Sequence, residues 1–109
     1  MLLAFRTQGL RSTCEDEAVS RKRYEPEVVE QLKSRLADLR AAKSVYDLVA
    51  GQQRFAPGGR SVRLSLTVDY ELVCKVNHGV LPRDEHGTVD WAQVSRIKIM
   101  AIERDDVNA

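Results

Sequence analysis

The stretch Gly51–Val76, GQQRFAPGGRSVRLSLTVDYELVCKV, decides how this chain is read. Within it Val62, Leu64, Leu66 and Val68 alternate with Arg63, Ser65, Thr67 and Asp69, the period of two expected of a strand with one buried face. A second run follows, with Tyr70, Leu72, Cys74 and Val76 on one side and Glu71, Val73, Lys75 and Asn77 on the other. Two such runs joined by a short polar segment predict an antiparallel hairpin. The approach to it contains Pro57, Gly58 and Gly59 and carries Arg54 and Arg60. Arginines beside a glycine-rich loop can hold a phosphate or can simply edge a sheet in solvent, and these residues alone leave both readings open.

Working outward toward the N-terminus, the clearest helix begins at Pro26, where a missing N–H costs nothing. Val28, Leu32, Leu36 and Leu39 then recur at helical spacing as far as about Ala42. Ser44 suits the N-cap of a brief further helix holding Val45, Leu48 and Val49, and Gly51 can end it in the left-handed conformation. This helical pair reads as a lid on the sheet. Before it, Leu2, Leu3 and Phe5 predict a short strand, and Thr7–Glu17 is helix-compatible. Arg21, Lys22 and Arg23 form a charge run of the kind that is usually a solvated helix face.

Toward the C-terminus, Asn77–Gln93 lacks periodicity and is rich in turn residues, including Leu81-Pro82 and Arg83-Asp84-Glu85-His86-Gly87. Asp90 caps one helical turn holding Trp91. Ile97, Ile99 and Ala101 then alternate with Arg96, Lys98 and Met100, predicting a further strand with a basic outer face. Residues 103–109 are polar and are expected to fray. The resulting order is a strand, two or three helices and three antiparallel strands. It predicts an α+β two-layer fold with helices on one face of the sheet and the other face open.

Bulk composition narrows the class. At 109 residues, 43% apolar and 30% charged, the chain reads as a single globular domain, 1–109. Its net charge of +1 gives no global case for nucleic acid. From Arg54 to Lys98, however, seven Lys/Arg stand against five Asp/Glu, an excess that folding can concentrate. Cys14 and Cys74 form no metal or redox motif, so no metal or other cofactor is expected, and Cys74 reads as a small buried hydrophobe. No apolar run reaches the roughly 18–20 residues that span a bilayer, which predicts a cytoplasmic protein without a membrane partner.

Several segments, taken in order, resemble the RelE/ParE toxin superfamily and its HigB-type, "plasmid maintenance killer" branch. They are Leu36-Ala37-Asp38-Leu39-Arg40-Ala41-Ala42 with Asp47-Leu48, Gly59-Arg60 before the Leu64-Ser65-Leu66 strand, Asp84–Gly87 before Asp90-Trp91, and the last strand from Val94 to Ile102. The resemblance covers about residues 32 to 102 and implies an N-terminal strand and helical hairpin packed on an antiparallel sheet. It implies the toxin half of a type II toxin–antitoxin pair, a ribosome-dependent mRNA endonuclease neutralised by a helix-turn-helix antitoxin. DNA is then met only through that antitoxin.

Such cleavage deprotonates a ribose 2′-hydroxyl, attacks the adjacent phosphate and protonates the leaving oxygen, with cations holding the accumulating charge. By resemblance Arg60 and Arg54 are the charge-stabilising catalytic candidates. Arg63, Lys75, Arg96 and Lys98 are candidate RNA contacts, provided that their faces coincide. Departures are plain. Phe55, Ala56 and Pro57 stand where many relatives carry a histidine, Glu71 replaces an arginine, and the family's Asp-Tyr-His-like ending is absent. Tyr70 matches a family aromatic and reads as packing, while His78 and His86 match no catalytic position. The same fold also serves gyrase-poisoning toxins, and a chain without acid/base groups fits that alternative or a degenerate toxin that only binds its antitoxin.

Overall fold

The structure, a computed structural model, describes residues 1–104. The elements are β1 (Leu2–Phe5), α1 (Gln8–Glu15), α2 (Glu17–Arg23), α3 (Pro26–Ala41), β2 (Gln53–Phe55), β3 (Ser61–Ser65), β4 (Tyr70–Val76) and β5 (Arg96–Arg104). Single 3₁₀ turns at Val45–Asp47 and Trp91–Gln93 complete it. The fold is α+β, with three helices and one five-stranded sheet in the order β1-β5-β4-β3-β2. No helix among the described residues is long and apolar enough to cross a membrane.

The β3–β4 hairpin pairs Val62 with Cys74 and Leu64 with Leu72, so both apolar runs face the same layer. Helix α3 covers that layer with Val28, Val29, Leu32, Leu36 and Leu39, all buried, in the stripe its spacing predicts. The sheet is mixed rather than antiparallel throughout, because β1 joins its edge parallel to β5, pairing Leu3 with Ile97 and Phe5 with Ile99. The helical layer has three members rather than a hairpin. Asp16 closes α1 through its N–H to the Ser12 carbonyl and opens α2 by accepting from the Ala18 N–H. The basic run Arg21-Lys22-Arg23 lies in the last turn of α2, where cations suit the helix dipole.

Several boundaries differ from the expectations. Strand β3 ends at Ser65, and Val68 is 87% exposed in the turn that follows instead of lying on the buried face. The helix expected after Ser44 is one 3₁₀ turn, with Asp47 accepting from the Lys43 and Ser44 N–H groups, and Val49 is fully exposed. Gly51 adopts φ +83° as expected. Residues 53–55, read as loop, form an edge strand pairing Arg54 with Arg63 and Phe55 with Val62. Glu103 and Arg104 complete β5, whereas the rest of the tail expected to fray lies outside the described residues.

The largest change is a bulge. Cys74 pairs with Ile99 and Val73 with Ala101, leaving Met100 as the extra residue. The phase of β5 therefore shifts within the strand. Ile97 and Ile99 face the core, but after Met100 it is Ile102 that lies opposite buried Leu72, and Ala101 turns outward opposite Val73.

Candidate nucleic-acid interface

The face of the sheet turned from the helices is set by residue parity. Arg63 lies between buried Val62 and Leu64 and so faces outward, and Arg54 opposite it on β2 does the same. Ser61 pairs with Lys75, and Lys75 pairs with Lys98. Arg96 shares the parity of Lys98 across buried Ile97. The four candidate RNA contacts, Arg63, Lys75, Arg96 and Lys98, thus share one open face.

Three of the pairs on this face are like-charged and directly opposite, Arg54 with Arg63, Glu71 with Glu103 and Lys75 with Lys98. Such cross-strand pairs are destabilising unless compensated. The arginine pair is compensated. Glu71, only 6% exposed, ion-pairs through one carboxylate oxygen with Arg54 and through the other with Arg63 at 2.7 Å. Glu103, brought alongside by the bulge, adds a second contact to Arg63 at 3.2 Å. These contacts raise the pKa of the Arg63 guanidinium, the hydrogen bond to Glu71 first and that to Glu103 next. The lysine pair has no such arrangement. Neither Lys75, Lys98 nor Arg96 makes a side-chain ion pair among the described residues.

Arg60 lies elsewhere. Its carbonyl accepts from the Val76 N–H at 3.0 Å, continuing the β3–β4 ladder by one residue. It therefore has the parity of Val62, opposite to that of Arg63 and Arg54. The two arginines carried over as a catalytic pair are consequently on opposite sides of the sheet. The arginine that Arg54 does meet is Arg63.

The two imidazoles stand apart from this chemistry. His78 Nε2 accepts the backbone N–H groups of Ser95 and Arg96 at 3.1 and 3.2 Å, bracing the start of β5. His86 is exposed beside Glu85 in the loop that the Asp84 carboxylate organises through the His86 and Thr88 N–H groups. Tyr70 packs edge-to-face on Tyr24 at 5.5 Å, the packing role its sequence position predicts. The open face can therefore bind a polyanion through Lys75, Lys98 and Arg96. Its carboxylates, Glu71 and Glu103, are both held by Arg63.

Sequence reasoning missed the guanidinium–carboxylate cluster because β2 is too short to show a period. Glu71 stands out in the sequence as an anion among strand cations, but its meaning requires the Arg54–Arg63 register. Compared with protein-family models, curated proteins and solved structures, the chain has no match.

Proposed function

We propose that this chain is the toxin component of a type II toxin–antitoxin pair of the RelE/ParE kind, acting on mRNA at the ribosome through the open face of its sheet. The carrying observation is the strip of Lys75, Lys98 and Arg96, adjacent in register on an uncovered face and without carboxylate partners among the described residues. A cross-strand lysine pair that weakens the fold is intelligible if an anion completes it. RNA phosphates supply such an anion. A strand edge, three helices and a returning hairpin in this chain order support the resemblance on which the toxin reading rests.

Expression without a partner tests it. Growth and translation arrest with cut mRNA are expected for the unaltered chain, and growth is restored by Lys75→Glu with Lys98→Glu. A double variant as toxic as the parent would remove the open face from the proposal.

A second reading has its own observation. Because Glu71 occupies both Arg54 and Arg63, and neither histidine lies on this face, the chain is also suited to act by binding alone. That reading expects intact mRNA, with DNA damage and filamentation if gyrase is the target, or no toxicity if only an antitoxin is bound.

A further inference from the structure

On the other side of β2 the chain assembles three aromatic rings. Tyr46, from the 3₁₀ turn at Val45–Asp47, lies 5.9 Å from Phe55, and Phe55 lies 5.3 Å from Trp91. Trp91 is buried and fixed, its indole N–H donating to the Gly59 carbonyl at 2.8 Å. Tyr46 is held near Phe55 because the Gln53 side-chain amide donates to the Val45 carbonyl at 2.6 Å, tying the turn to the edge strand. Yet Tyr46 is 57% and Phe55 39% exposed. Two anchored aromatics left facing water, rather than folded into the adjoining core, are an unfilled stacking surface.

Arg60 specifies what fills it. It is exposed, makes no side-chain ion pair among the described residues, and follows Gly59, the residue to which Trp91 is bonded. An aromatic ledge joined through Trp91 and Gly59 to a guanidinium without an ion-pair partner among the described residues complements a flat ring attached to an anion. We infer that Tyr46 and Phe55 form a base-stacking ledge for a single-stranded nucleic acid whose phosphate is met by Arg60. This rests on the reading that RNA is the ligand, and it places the bases around the β2 edge from the lysine strip. Arg54 and Phe55, consecutive residues on opposite sides of that edge, are the points where the strand passes over.

The test compares two oligomers of equal length, oligoadenylate and its abasic analogue, which keeps the phosphates and lacks the bases. Trp91, the chain's single tryptophan, reports through its fluorescence because it touches Phe55. The expected result is that oligoadenylate binds about tenfold more tightly than the abasic strand and changes the Trp91 emission. Phe55→Leu and Tyr46→Leu each shrink that ratio, and both positions are exposed enough for the variants to fold. Lys75→Glu with Lys98→Glu weakens both oligomers alike and preserves the ratio. Equal binding of the two oligomers by the parent chain, as expected of a ledge that serves a protein partner, overturns the ledge while leaving RNA binding intact. Binding of neither oligomer overturns the RNA reading and the ledge with it. A ratio unchanged in both aromatic variants also overturns it.

Discussion

The two ends of the open sheet face solve the same electrostatic problem in opposite ways. At one end Arg54 and Arg63 lie in register and Glu71 is set between them, with Glu103 behind. At the other end Lys75 and Lys98 lie in register with no carboxylate from the described residues paired to either. Both are cross-strand like-charge pairs, and the sheet tolerates the first because its charge is answered from within the fold. The second is answered by nothing among the described residues. A basic surface is therefore better judged by which cations lack an internal partner than by how many it contains.

The largest perturbation reaches the balanced end from beneath. Arg35 of α3 is almost fully buried and donates from Nε to the Ser65 carbonyl at 3.2 Å, bracing the end of β3 beside Glu71. A Cβ at Gly51 would fall 2.4 Å from that Nε, and Gly51 has the left-handed φ that other residues resist. Gly51→Ala is expected to cost roughly 3 kcal/mol, combining backbone strain with displacement of a charged hydrogen bond. Denaturant unfolding measures it, and a loss below about 1 kcal/mol would mean that the brace relaxes freely.

Next in size is Glu71→Ala, which makes the balanced end resemble the other. Because both guanidiniums remain partly hydrated, the expected loss is roughly 1–2 kcal/mol rather than the larger penalty of a fully buried pair. Thermal melting should fall, and retention on immobilised single-stranded RNA should rise as Arg54 and Arg63 are released. A variant that melts lower without binding better would show that these arginines serve the fold alone.

The converse change, Lys75→Glu, places an anion opposite Lys98. It is expected to stabilise the sheet by about 0.2–1 kcal/mol while weakening RNA retention. Stability and binding moving together would contradict the contrast between the two ends.

A control, confined to alkaline pH and absent at neutrality, lies in the helical layer. Burial pushes the Cys14 thiol up from its ordinary 9.0 to about 11, Glu15 adding to the shift and Arg40 opposing it. The unfolded chain then loses this proton first, so stability falls as pH rises from 9.0 to about 11. Burial raises the Cys74 thiol in the same sense, so Cys14→Ala should make that decline shallower without abolishing it or altering the salt dependence of RNA binding. An unchanged alkaline decline would assign it to other groups.

Much of this arrangement follows from local pattern. The α3 stripe, the β3–β4 hairpin and the outward parity of Arg63, Lys75, Arg96 and Lys98 are all periodic features of sequence. What escapes is non-local or too short to have a period. The parallel β1–β5 pairing joins residues more than ninety positions apart, as Leu3 with Ile97 shows. Edge strand β2 has only three residues, so the number of positions between Arg54 and Arg60 says nothing about their faces until the turn is known. The aromatic ledge escapes for the same reason, since Tyr46, Phe55 and Trp91 come from three separate segments.

Met100 carries a consequence out of proportion to its size. If it paired in ordinary succession, Ile102 would stand beside Glu71 in solvent and Glu103 would be turned toward the apolar layer. One unpaired amino acid thus lets a single strand seal the interior with isoleucine and still deliver a carboxylate to the exterior. Lengthening or shortening β5 by one residue at this point would redraw the molecule's electrostatic map without altering a single charge.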